Sequence, residues 1–142
     1  MAKKRFLNIT EDIAVFYKRQ CKYNPQGIIK VDKITKQGRG NSLAQKNERN
    51  NEYIQEFTNY PRNILDFKRD KPQLHPTQKP VELFEYLIKT YTNEGDLVLD
   101  NCIGSGTTAI ASINTNRKFI GIEKDEKYFN IAKERIEDRL NE

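Results

Sequence analysis

Leu97-Val98-Leu99-Asp100-Asn101-Cys102-Ile103-Gly104-Ser105-Gly106-Thr107-Thr108-Ala109 is the stretch whose reading decides the fold of this chain. Three apolar residues closed by a carboxylate read as a buried parallel strand. Gly104 and Gly106 then permit a tight turn and a close backbone approach to a ligand. Gly106–Ile113 reads as a short helix. Beyond it, Phe119-Ile120-Gly121-Ile122-Glu123 is a second strand, and Asp125–Leu140 is a closing helix with Tyr128, Ile131, Ala132, Arg135, Ile136 and Leu140 along one side. Strand, helix, strand, helix within about 45 residues is one Rossmann-like unit, so the fold class is α/β.

Working outward towards the N-terminus, Phe84, Leu87, Ile88 and Tyr91 follow the i, i+3, i+4, i+7 rule and predict an amphipathic helix over Val81–Thr92. Pro80 suits its first turn, and Asn93-Glu94-Gly95-Asp96 supplies a glycine stop. Ile64-Leu65-Asp66-Phe67 reads as a short strand. Residues 20–60 are dominated by Asn, Gln, Lys, Gly and Glu, which predicts a long mobile loop with at most a short strand at Ile28–Val31. Ile13-Ala14-Val15-Phe16-Tyr17-Lys18-Arg19 is rich in strand formers and predicts a strand through Ala14–Lys18.

With 142 residues, 36% hydrophobic and 32% charged, the chain is one domain with a lean core. Residues 1–80 hold 17 Lys+Arg against 8 Asp+Glu, whereas residues 81–142 hold 8 against 12. A basic half joined to an acidic half suggests a polyanion-facing arm on an ordinary core, although lysines also serve simply to keep a polar insert dissolved. Cys21 and Cys102 lack C-x-x-C spacing and read as free thiols; with one histidine they cannot make a four-ligand structural zinc site. Nothing reads as a signal peptide or a membrane span, so a soluble, cytoplasmic protein without membrane or metal partners is expected.

The glycine turn admits several ligands. Gly-Ser-Gly-Thr-Thr-Ala fits the loose dinucleotide pattern G-x-G-x-x-A, so a nicotinamide or flavin enzyme competes, as does a turn that merely packs helix on strand. A Walker phosphate loop is excluded, because no Gly-Lys-Ser/Thr occurs. Asp100, at the end of the first strand, can meet the amino group of a bound amino acid. Glu123, at the end of the second, stands where a carboxylate can hydrogen-bond ribose hydroxyls.

Three segments in order narrow the choice. His75-Pro76-Thr77-Gln78-Lys79-Pro80 is followed by Val98–Thr108 and then by Phe119-Ile120-Gly121-Ile122-Glu123-Lys124-Asp125-Glu126-Lys127-Tyr128. The series resembles the amino-group DNA methyltransferases of the circularly permuted, beta-type arrangement, strongly over 75–139 and loosely over 1–70. The resemblance implies a partial Rossmann-like S-adenosylmethionine-dependent methyltransferase fold with an irregular basic insert. It also implies methyl transfer to N6 of adenine or N4 of cytosine in double-stranded DNA. It divides the chain into a remnant of the catalytic region with a target-recognition-like insert (1–74) and a cofactor-binding unit (75–142).

Carried over, Asp100, Gly104 and Gly106 would surround the methionine part of S-adenosylmethionine, and Glu123 would hold the ribose. Thr77 and Lys79 would lie near the methionine carboxylate, with Thr107 and Thr108 donating to it from the helix N-terminus. Asn101-Cys102-Ile103 departs from the Pro-Phe-Cys more usual there. His75 reads as a structural or cofactor-side residue rather than a general base, and Cys102 as a small apolar filler. Phe16, Tyr17 and Tyr23 read as packing groups before base-stacking ones.

The resemblance also implies a (Asp/Asn/Ser)-Pro-Pro-(Tyr/Phe) tetrapeptide that holds the target amine. The sequence has no Pro-Pro pair. In the permuted arrangement that motif would lie upstream of Met1, so no catalytic residue is assigned. A truncated remnant, one half of a split enzyme, or a fragment of a longer product would each read this way. In each case an open sheet edge is expected to self-associate or to bind a complementary chain.

Overall fold

The computed structural model describes residues 10–36 and 52–142. A β-hairpin comes first, β1 (Ile29–Lys36) pairing antiparallel with β2 (Glu52–Thr58). Then follow α1 (Val81–Tyr91), β3 (Leu97–Asp100), α2 (Thr107–Asn114), β4 (Lys118–Gly121) and α3 (Glu126–Asn141). β3 and β4 pair in parallel, Leu97 opposite Lys118 and Asp100 opposite Gly121, joined across α2. This is the expected Rossmann-like unit.

Helix α2 sits at the centre, against α1, β4 and α3. Thr107 to Ser112 are all buried, and Ala109, Ala111 and Ser112 have no exposed surface. Small side chains let neighbouring elements close on α2 from several sides. Its hydroxyls are satisfied inside: Ser112 donates to the Thr108 carbonyl (2.7 Å) and Thr115 to that of Ala111 (2.7 Å).

Helix α1 runs as its periodicity predicts, but Pro80 is its cap residue rather than its first helical one. Proline offers no capping side chain, so the Val81 N–H donates to Asp70 Oδ2 (2.9 Å) from eleven residues upstream. At the other end Asn24 Nδ2 donates to the carbonyls of Lys89 (3.1 Å) and Thr92 (3.0 Å), and the Asn24 N–H to Thr90 O (2.7 Å). The final turn of α1 is thus closed by a residue 65 or more positions earlier. Gly95 takes a φ of +80° in the turn that follows.

Several sequence expectations require correction. Residues 14–18 form no strand; Phe16 is 91% exposed, and no partner strand pairs with them among the described residues. Residues 64–67 are likewise irregular, with Ile64 exposed and Phe67 resting against Tyr86 at 5.9 Å between ring centroids. Strand propensity without a ladder partner does not make a strand. Within residues 20–60, the expected loop contains the β1–β2 hairpin, and the short strand expected at Ile28–Val31 extends to Lys36. A cross-strand pair such as Ile34 opposite Ile54 is invisible to local periodicity. The remainder of that loop, residues 37–51, lies outside the described residues.

Strand β3 is not buried on both faces. Leu97 is 57% and Leu99 65% exposed, and Ile120 and Ile122 are exposed beside them. The alternation leaves one face of this two-stranded sheet bare among the described residues.

Candidate functional site

The site forms at the carboxyl ends of β3 and β4, where the glycine turn, the 75–79 segment and the start of α3 converge. The turn is held first by backbone. The Ile122 N–H donates to Asp100 O (2.9 Å) and the Ile103 N–H to Ile122 O (3.0 Å), which extends the parallel ladder past the strands. Gly106 N–H then closes on Ile103 O (3.0 Å). Gly104 and Gly106 have φ values of +56° and +88°, the left-handed region in which a side chain is costly. Gly106 has a second reason to be glycine: a Cβ there would stand 3.1 Å from the Ala132 Cβ on α3.

Asp100 closes β3, whereas Glu123 lies two residues past Gly121, where β4 ends, rather than at the strand's end as the sequence suggested. Asp100 Oδ1 accepts from Cys102 N–H (3.0 Å), and Oδ2 accepts the Thr108 hydroxyl. Glu123 Oε2 accepts from Gly104 N–H (2.8 Å) and Oε1 from Asp125 N–H (2.9 Å). The Asp125 amide, followed by that of Gly104, holds the Glu123 carboxyl below the usual carboxylate range, so it is ionised and keeps acceptor lone pairs free. Asp125 itself caps α3, accepting from Lys127 N–H (2.9 Å) and Tyr128 N–H (3.2 Å).

The 75–79 segment lies over the turn. The three atoms nearest to a Cβ built on Gly104 all belong to the His75 ring, at 3.7 to 4.0 Å. Thr77 sits at the site through that ring, its N–H 3.2 Å and its hydroxyl 3.0 Å from His75 Nδ1. Lys79 instead points to Glu11, and their ion pair holds the Glu11 carboxyl below its ordinary range. Thr107 and Thr108 are buried beneath the turn. The Thr107 hydroxyl donates to Lys79 O (3.4 Å) and the Thr108 hydroxyl to Asp100, so both act as struts in this structure.

Four contributors were not singled out by the sequence. Tyr128 meets His75 edge-on, ring centroids 4.1 Å apart. Gln78 accepts from the Leu74 N–H (2.8 Å) and from the Ser105 hydroxyl (3.3 Å). Arg135, half-buried on α3, donates to the Ser105 carbonyl (2.7 Å). Gly121 leaves the space that Ile103 fills, since a Cβ there would stand 2.4 Å from Ile103 Cδ1. Tyr128 and Arg135 stood in the sequence as members of one side of α3, and Gln78 and Gly121 as members of the segments that carry the resemblance, without a role of their own. Cys102 is exposed rather than a buried filler. Among the described residues, no group of three or more His, Cys, Asp or Glu is placed to hold a metal ion, and no helix is long and apolar enough to cross a membrane.

The chain is 42% identical over 88 residues to the type II methyltransferase M.HpaI of Haemophilus parainfluenzae, covering 57% of this chain and 27% of that protein. It is 48% identical over 63 residues to the type II methyltransferase M2.DpnII of Streptococcus pneumoniae, covering 44% and 24%. The chain therefore spans about a quarter of the length of these relatives. Among solved structures, the M1.HpyAVI–SAM complex is 37% identical, with a TM-score of 0.47 over 63% of this chain and 53% of that one. The sequence profile described as DNA methylase, that of the N6/N4 methyltransferases, matches residues 1–134, and the chain belongs to that family.

Proposed function

We propose that this chain is the cofactor-holding part of a DNA amino-methyltransferase, which passes a methyl group from S-adenosylmethionine to N6 of adenine or N4 of cytosine. The observation that carries the reading is the convergence of Asp100, the Gly104–Gly106 turn, Glu123 and Thr77 at the carboxyl ends of two parallel strands. The donor set suits the cofactor. Ionised Glu123 can accept from ribose hydroxyls, and Asp100 can face an ammonium group. Lys79 would exchange Glu11 for the methionine carboxylate. Bound there, the cofactor supplies an electrophilic methyl group; the chain's own residues bind and orient it.

Double-stranded DNA is the proposed substrate, and the hairpin its contact. Lys30 lies opposite Phe57, Lys33 opposite Gln55 and Thr35 opposite Tyr53, so lysines and aromatic rings share one face of a two-stranded ribbon. Such a ribbon fits a major groove. The five prolines include no adjacent pair, so the base-holding tetrapeptide implied by the resemblance is not within this sequence, and the chain alone is proposed to be inactive. A second reading, one subunit of a split methyltransferase or a cofactor- and DNA-binding remnant, is favoured by the bare face of Leu97, Leu99, Ile120 and Ile122. A complementary chain or a second copy would cover it, and a monodisperse monomer in solution would count against both.

Calorimetric titration with S-adenosylmethionine tests the main reading. Saturable binding that is lost in Gly104→Asp is expected. Absence of binding by the folded chain refutes the claim that the described residues suffice to hold the cofactor.

A further inference from the structure

We infer that His75 is a positioning residue for the glycine turn, acting in its neutral form with the proton on Nε2. The inference rests on the cofactor reading above and adds to it a switch inside that site. A backbone N–H can only donate, so the Thr77 N–H, 3.2 Å from His75 Nδ1, requires an unprotonated Nδ1. The Thr77 hydroxyl, 3.0 Å from the same atom, shares that lone pair. The ring so fixed meets Tyr128 in a T-shaped contact and stands beside Gly104, its nearest atoms 3.7 to 4.0 Å from where a Cβ would be. Gly104 in turn directs its N–H to the Glu123 carboxylate at 2.8 Å. A chain of contacts thus runs from Thr77 through His75 and Gly104 to the carboxylate proposed to hold the ribose.

Protonation of Nδ1 sets a donor against the Thr77 N–H and ends that bond, leaving only the Thr77 hydroxyl to accept from the ring. With the ring released from the Thr77 amide, its packing beside Gly104 shifts, and the Gly104 bond to Glu123 loosens. The charged groups around His75 do not replace that link. Lys127 lies over the Tyr128 ring, its Nζ 5.5 Å from the centroid. Lys79 is paired with Glu11, and Asp100 accepts from Cys102 and Thr108. Glu123 stays ionised throughout, because two backbone amides hold its proton affinity down.

The test is made on the full chain, first without ligand. His75 is the sole histidine, so its ring nitrogens are identified in a ¹⁵N spectrum without assignment. Over a pH interval in which the chain stays folded, we expect the Nε2–H form while the ring is neutral. The protection factor of the Gly104 amide should fall about tenfold as the ring gains its second proton. An Nδ1–H tautomer, or Gly104 protection indifferent to the charge on His75, overturns the inference.

His75→Asn provides the second arm, since its Oδ1 can accept from Thr77 N–H but cannot take a charge. Its Gly104 protection should not change across the interval, whereas His75→Ala should be unprotected at every pH. A pH response that persists in His75→Asn overturns the proposal. With S-adenosylmethionine added, wild-type affinity should weaken about tenfold towards the acid end and that of His75→Asn should stay level. Absence of wild-type binding at any pH would refute the cofactor reading, while the ligand-free tautomer and exchange data still decide whether His75 holds the turn.

Discussion

Replacing Gly121 by alanine places a methyl group 2.4 Å from Ile103 Cδ1, 3.3 Å from its Cγ2 and 3.4 Å from its Cβ. Carbon atoms pack at about 3.5–4.0 Å, so the first contact is a deep overlap and the others are shallow. Overpacking of this kind costs roughly 1–3 kcal/mol, and the lower chain entropy of alanine within a strand returns about 0.5–1 kcal/mol. The single substitution should therefore destabilise by about 0–2.5 kcal/mol. Ile103→Val deletes the clashing Cδ1 from a buried side chain and should itself cost about 0.5–1.5 kcal/mol. Combined, the two changes fill the space that each disturbs, and the double variant should lie within about 1 kcal/mol of the wild type. With both single costs near the middle of their ranges and the double variant near wild type, the cycle predicts a favourable coupling of about 2 kcal/mol, above the roughly 0.3–0.5 kcal/mol scatter of independent sites. Urea unfolding followed by circular dichroism on the four proteins measures it. Additive effects would refute the reasoning and mean that Ile103 does not fill the space beside Gly121.

Three further outcomes are expected. Asp125→Ala removes the side chain that caps α3 and should cost about 0.5–2 kcal/mol, read as a lower urea midpoint with an unchanged slope. Arg135→Met keeps the aliphatic stem but loses the bond to the Ser105 carbonyl; a loss of about 1–3 kcal/mol by the same assay is expected, and an unchanged midpoint would show that the contact contributes nothing. Glu123 has a lowered folded-state proton affinity, so its contribution is present above the ordinary carboxylate range and is lost as the pH falls through its folded value. Glu123→Gln should accordingly flatten the acid limb of a stability–pH curve, and an acid limb identical to that of the wild type would show that the two amide bonds do not stabilise the charge.

The α/β unit from Leu97 to Asn141 was legible in the sequence because each of its signals is local. Helical periodicity, a glycine pair after an apolar run and a carboxylate at a strand end lie within a few residues of each other. The amphipathic helix α1 was legible for the same reason. The family was legible through the order of His75–Pro80, the glycine turn and Phe119–Tyr128, which the profile match over residues 1–134 bears out.

What the sequence could not express are relations between distant residues. Asn24 closes α1, Asp70 caps it, and Ile34 finds Ile54 across the hairpin. Residues 14–18 and 64–67 have strand composition, yet a strand exists only as a ladder, and none forms there. The candidate site divides in the same way. Asp100, Gly104, Gly106 and Glu123 are dictated by chain geometry at two strand ends. The roles of His75, Tyr128, Gln78 and Arg135 depend on which surfaces α3 and the 75–79 segment present to the turn. Local sequence sets the conformations each segment can take, and only tertiary packing decides which donors, acceptors and ring faces come within reach of one another.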